Sequence, residues 1–177
     1  MDRMDDLIAR IRTRVADPLR AVDAAAWVRP LPQVAPPATA AELDAAEEAL
    51  GFPIPPLLRR LYAEVGNDGW GPDYGLGGVP TAGSVPDGND LVGLYQLCTA
   101  PERDLEDPEA QWPRGLVPLI ALGCVSMECV DFLHPPYPVF KLDGDRWTRD
   151  QAVVDALIPV EPSLAERLEV WLTTESV

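Results

Sequence analysis

His134 is the single histidine in a chain of 177 residues, and that narrows the chemistry open to it. A Ser-His-Asp or Cys-His arrangement needs the imidazole beside a nucleophile, with a third group to orient it. Here it stands in the proline-flanked turn His134-Pro135-Pro136, after an apolar run, and no G-x-S-x-G elbow is present. A histidine so placed reads as a solvated or hydrogen-bonded turn residue. Cys98, Cys124 and Cys129 cannot all pair within one molecule. Cys124 and Cys129 would face opposite sides of one continuous strand. A turn could join them, but two thiolates and one histidine without C-x-x-C spacing make a poor zinc site. Core thiols are the simpler reading. Gly75 to Gly78 (GLGG) lacks the preceding strand, following helix and lysine of a phosphate loop. Asp87 to Asp90 (DGND) lacks the alternating acids and distal glutamate of a calcium loop. Carboxylates abound, yet none sits in an apolar setting that would suit it to acid/base work. The sequence predicts no catalytic residue, no metal site and no cofactor, and the chain reads as a non-enzyme.

The chemistry that remains is recognition. The glycine-rich stretch after Gly66 carries Asp68, Trp70, Asp73, Tyr74, Asp87 and Asp90. Aromatic side chains anchor interfaces, and flanking carboxylates pair with lysines and arginines of a partner. These are the candidate partner-binding residues. The competing reading of Trp70 is that it folds back onto the core as a lid. Trp112, Trp147 and Trp171 flank apolar runs and read as core.

The elements that position this stretch are legible from periodicity. Met4, Leu7, Ile8, Ile11 and Val15 make an amphipathic helix over residues 2–16. Pro18 interrupts it, and Leu19, Val22 and Trp27 extend its apolar face. Residues 29–39 form a proline-rich, semi-rigid connector. Thr39 and Glu42 make a capping box for a second helix that stops at Gly51. Pro55 and Pro56 open a third, with Leu57, Leu58, Leu61, Tyr62 and Val65 inward and Gly66 at its end. Residues 66–90 are loop, and residues 91–98 are either a strand or the start of a helix. Residues 101–111 read as a polar surface excursion. Residues 115–123, 128–133 and 137–142 are three short apolar runs separated by turns, a β-meander. Asp143 to Asp145 is a turn. Thr148 and Gln151 cap a helix through Val153, Val154, Leu157 and Ile158, and Ser163 and Glu166 cap a last one through Leu164, Leu168, Trp171 and Leu172. The class is α+β: one domain with a small antiparallel sheet flanked by helices, plus an N-terminal amphipathic helix. The division runs 1–29 for the helical extension, 30–38 for the connector and 39–177 for the main domain.

The formal net charge is −15. It is unevenly spread: residues 1–29 hold five acids and six arginines, residues 30–177 hold 24 acids and eight bases. Such a field repels nucleic acid and anionic lipid and speeds encounter with basic proteins. The arginines of the first helix are interrupted by aspartates and read as a solvated face. No signal peptide and no membrane span is apparent, so the chain reads as cytoplasmic with reduced thiols.

Residues 50–74, LGFPIPPLLRRLYAEVGNDGWGPDY, carry a family resemblance through Leu50, Gly51, Pro55, Leu61, Tyr62, Asn67 and Gly69. Further on, Pro118, Gly123, Cys124, Asp131, Pro138 and Val139 fall in the same order and spacing. Over residues 38–172 the chain resembles the SUKH superfamily, the SMI1/KNR4-like fold. The insert at 70–90 and the helix at 1–27 depart from that pattern. The resemblance implies a binding protein. Bacterial members are commonly immunity proteins of toxin systems, which bind and occlude a cognate toxin inside the producing cell. Many such toxins are basic nucleases. Fungal members are instead regulatory or scaffold adaptors without a toxin. The expected partner is a cognate toxin or another basic protein, with no nucleic acid and no membrane. The oligomeric state is open between a monomer and a homodimer through the N-terminal helix, whose stripe could equally pack on its own domain.

Overall fold

Four short apolar runs, two of them containing a proline, meet as neighbouring strands. The computed structural model describes residues 2–28, 30–31, 33–83, 90–100, 111–123, 126–145 and 152–174. In it β1 (Leu116–Ala121), β2 (Met127–Asp131), β3 (Val139–Leu142) and β4 (Leu157–Glu161) form an antiparallel meander in the order β1-β2-β3-β4. The helices are α1 (Arg3–Val15), α2 (Ala40–Leu50), α3 (Pro56–Glu64), α4 (Leu91–Thr99), α5 (Val153–Ala156) and α6 (Leu164–Thr173). The fold is α+β. The row Val117, Val130, Val139 runs across three strands and lies wholly in the main core. The adjacent row, Pro118, Cys129, Phe140, faces the other side. There Cys129 joins Leu116 and Val153 in a smaller cluster packed by Trp112. The β1 register shifts between Pro118 and Ile120, where proline has no amide to give the ladder.

The helix signals hold at α2, α3 and α6. Thr39 and Glu42 cap each other's backbone at the start of α2, and Gly51 ends it at φ 78°. Ser163 accepts from the Glu166 amide at 3.1 Å at the start of α6. Residues 91–98, left open between strand and helix, form α4. Asp90 fixes its start by accepting the Gly93 amide at 2.8 Å. Leu91, Tyr95 and Cys98 then bury one helical face.

Two expectations are corrected. Leu157 and Ile158 do not continue a helix: α5 is a single turn, and both residues belong to β4, with Lys141 opposite Ile158 and Leu142 opposite Leu157. Pro159 cannot donate within a helix, whereas an edge strand tolerates it. The Thr148–Gln151 cap, Trp147, Cys124 and the excursion at 101–110 lie outside the described residues. Leu19 and Trp27 do not extend an apolar face. The helix ends at Val15, and these side chains are exposed at 57% and 65%, while Val22 is buried.

α1 packs on its own chain. Leu7, Ile8, Ile11 and Val15 enter the same core as α2, α3 and the sheet. Arg10 binds Glu169 at 2.5 Å and Arg14 binds the Thr174 carbonyl at 2.9 Å, so α1 and α6 run parallel.

Candidate functional site

The stretch after α3 is a tightly fastened irregular segment. Asn67 clamps Val79, donating to its carbonyl at 2.8 Å and accepting its amide at 2.9 Å. The buried Tyr62 hydroxyl donates to the Gly77 carbonyl. The Gly77 amide reaches Leu119 at 2.8 Å and Leu76 bridges Ile120, so this segment covers the β1 edge. Gly78 has no room for a side chain, because a Cβ there would fall 2.3 Å from the Asn67 carbonyl oxygen.

The six expected binding residues separate on this scaffold. Trp70 is not a surface anchor. It is fully buried against Trp171, with its indole N–H on the Gly66 carbonyl at 2.7 Å. The lid alternative is the observed one: a loop whose backbone is spent on internal hydrogen bonds needs a large apolar plug beneath it. Asp68 is exposed beside the connector, where its carbonyl accepts the Ala35 amide at 2.9 Å. Although the residue is exposed overall, chain packed beside its carboxyl desolvates it and raises its pKa, opposed by the Gly69 amide. Asp90 caps α4. Asp87 lies outside the described residues. Asp73 and Tyr74 stay together. Asp73 adopts φ 52°, a left-handed backbone that aspartate accepts more readily than most residues. Tyr74 is 46% exposed, and its ring lies over Gly123 in the β1–β2 turn.

Three tethers hold Asp73 in that conformation. Its amide donates to the Asp23 carboxylate at 3.0 Å. Its carbonyl accepts the Ala24 amide at 2.9 Å. Its own carboxylate takes the Arg167 guanidinium at 3.1 Å. Arg167 also grips Glu128 through two bonds, at 2.8 and 3.2 Å. Asp23 accepts Arg14 and the Trp171 indole, each at 3.2 Å. Arg14 lies 4.5 Å over the Trp171 ring and donates to the Arg20 carbonyl at 3.0 Å. The buried Arg14, the largely covered Arg167 and three acids thus tie the loop, the segment after α1, β2 and α6 together. Desolvation lowers the Arg14 pKa, opposed by Asp23. Desolvation raises Asp73, opposed by Arg167.

Periodicity alone could not reveal this network, because Asp23, Glu128 and Arg167 are far apart in sequence and look like ordinary surface charges. The usable signal was Arg14, a charged residue at helical spacing beside the apolar stripe. Trp27 was also missed as a surface residue. Its amide bonds to the Ala24 carbonyl at 3.0 Å, and the Ala24 amide bonds to Asp73, so Trp27 and Tyr74 leave one hydrogen-bonded junction. The junction thus carries two exposed aromatic residues and a half-exposed carboxylate on a hydrogen-bonded backbone. His134 is exposed on the β2–β3 turn, paired with Asp131 at 2.8 Å. Cys129 is buried, and burial raises its thiol pKa well out of the reactive range. Among the described residues no group of three or more His, Cys, Asp or Glu could hold a metal ion, and no helix is long and apolar enough to cross a membrane.

A model of the SMI1 / KNR4 family (SUKH-1) matches residues 37–168. The match begins after α1, although α1 shares the core. No curated protein matches the chain.

Proposed function

The chain belongs to the SMI1 / KNR4 family (SUKH-1), and from that premise we propose that it is a non-catalytic protein-binding module of the immunity type. It binds a basic toxin domain and occludes it, with no turnover. The observation that carries this reading is the junction at Asp73, where tethers to Asp23, Ala24 and Arg167 fix the backbone and leave Tyr74 and Trp27 outward. Rigid aromatic anchors lose little conformational freedom on docking, and a carboxylate among them selects lysine or arginine. The net charge of −15 adds long-range attraction for a basic partner and mimics the field of a nucleic-acid substrate.

The test uses the protein as bait in a low-salt lysate, beside a Trp27→Ala/Tyr74→Ala variant. One basic protein held stoichiometrically, released by salt, lost by the variant, and inhibited in its own activity by the wild type supports the reading. Retention unchanged in the variant removes this surface. A retained partner whose activity is not inhibited removes the immunity function.

A further inference from the structure

A second feature lies at the N-terminal turns of α1 and α6, and none of Trp27, Asp73, Tyr74 or Arg167 lines it. The two helices run parallel, so their N-termini open side by side, and the start of α3 joins them. Together with the turn before β3 they enclose a groove of about 700 Å³ that is open to solvent. One leucine from each helix, Leu7, Leu57 and Leu164, makes its floor, and all three are already well buried. Met4, Tyr137 and Ala165 are partly exposed on its walls. The Leu164 amide bonds to the Tyr137 carbonyl at 2.9 Å, so the wall is fixed before anything binds.

The lining decides what fits. Pro55, Pro56, Pro136 and Pro162 all face the groove and offer no amide donors. Ser163 spends its hydroxyl capping α6. A polar ligand would lose its water there and gain little in return. A small molecule would also lack the convergent polar groups that usually orient one. The volume instead accommodates several apolar side chains, as a helix-in-groove contact needs. The rim selects the sign. Asp2 and Glu166 stand at the groove against Arg3, while Glu169 is already paired with Arg10, and the chain as a whole carries −15. We infer that this groove docks a short amphipathic segment of a partner protein, its apolar face seated on Leu7, Leu57 and Leu164 and its lysines or arginines over the acidic rim. This surface is separate from the Asp73 junction and stands or falls independently of the immunity reading.

The probe is a blocked, fluorescein-labelled 12-residue peptide with leucines at i, i+3, i+4 and i+7 and lysines elsewhere. A control keeps the lysines and replaces the leucines by serines. Fluorescence anisotropy with the full chain should give at least tenfold tighter binding of the leucine peptide. Ala165→Trp, which fills the groove, should erase that preference, whereas Trp27→Ala/Tyr74→Ala should leave it. Methyl NMR of the wild type gives a reading that needs no variant: Leu7, Leu57, Leu164 and Met4 should shift with the leucine peptide only. Equal binding of both peptides means general charge attraction and overturns the inference. So does a preference that survives Ala165→Trp in a folded protein, or methyl shifts confined to other residues.

Discussion

Asp73 sets two opposite pH dependences with one carboxyl. Burial beside the Asp23 carboxylate outweighs the attraction of Arg167 and raises its pKa above the usual aspartate value, which is about 3.9. A raised folded-state carboxyl binds its proton more tightly folded than unfolded. Its own contribution to stability therefore falls as pH rises through the window from the unfolded to the raised value. Binding that uses the charge behaves the other way and is gained as pH rises through that same window. Partner affinity is expected to fall on acidification from above the ordinary aspartate range, and Asp73→Asn should flatten that limb in a titration by calorimetry. An unchanged profile would assign the charge to another acid. Arg167 makes a different kind of prediction. Its side chain is 12% exposed and holds Glu128, which is 7% exposed. Arg167→Met strands a buried carboxylate and should cost about 3–5 kcal/mol by chemical denaturation, whereas adding Glu128→Leu should restore most of it. If both variants lose the same amount, the pair is not the reason these residues sit there. Of the residues singled out from sequence, Tyr74 is exposed and Asp73 half-exposed, whereas Trp70 is buried. Nothing local separates an exposed tryptophan from a buried one. The Gly66 carbonyl and Trp171, which hold Trp70 inward, become visible only once the loop is folded.

α1 shows what an amphipathic stripe does and does not tell. Its helix and its inward face follow from spacing, and so does its need for a covering surface. What covers it does not, since that depends on α6, more than a hundred residues away. The structure supplies the answer through Leu7, Ile8, Ile11 and Val15 in the shared core. Its arginines are also partly spent on the body: Arg10 on Glu169, Arg12 on Glu64, Arg14 on Asp23. The exposed pairs among these contribute little, about 0–1 kcal/mol each. The apolar face decides. At about 1.5–3 kcal/mol per buried aliphatic side chain, its loss rivals the whole stability of a domain. Deleting residues 1–15 is therefore expected to abolish cooperative thermal unfolding rather than merely undock an appendage. A truncated chain that melts sharply near the wild-type temperature would show that α1 is dispensable. The strands were legible in the same uneven way. β1, β2 and β3 alternate or run apolar between turns. β4 carries Pro159 and leaves Ile158 48% exposed, so its pattern matched a helix until β3 was there to pair with it.

At the scale of the molecule, charge is the property the sequence discloses completely and the structure only distributes. The excess lies in residues 30–177, where 24 acids face eight bases. Several acids are neutralised internally by arginines: Asp44 and Glu47 by Arg59, Asp5 and Glu64 by Arg60. The remainder acts at long range, so it governs encounter more than residence. The contacts at Trp27 and Tyr74 are short-range and apolar, so they govern dissociation. The two contributions separate in a kinetic experiment with the captured partner. Raising salt from about 50 to 500 mM shrinks the screening length from over 10 Å to a few ångströms. The association rate is expected to fall by about one to two decades, while the dissociation rate changes by less than about threefold. Trp27→Ala/Tyr74→Ala should do the reverse, raising dissociation at least tenfold at either salt with association nearly unchanged. Salt dependence concentrated in dissociation would mean that ion pairs in the interface, with Asp73 the first candidate, hold the complex. The aromatic junction would then be a rim rather than an anchor.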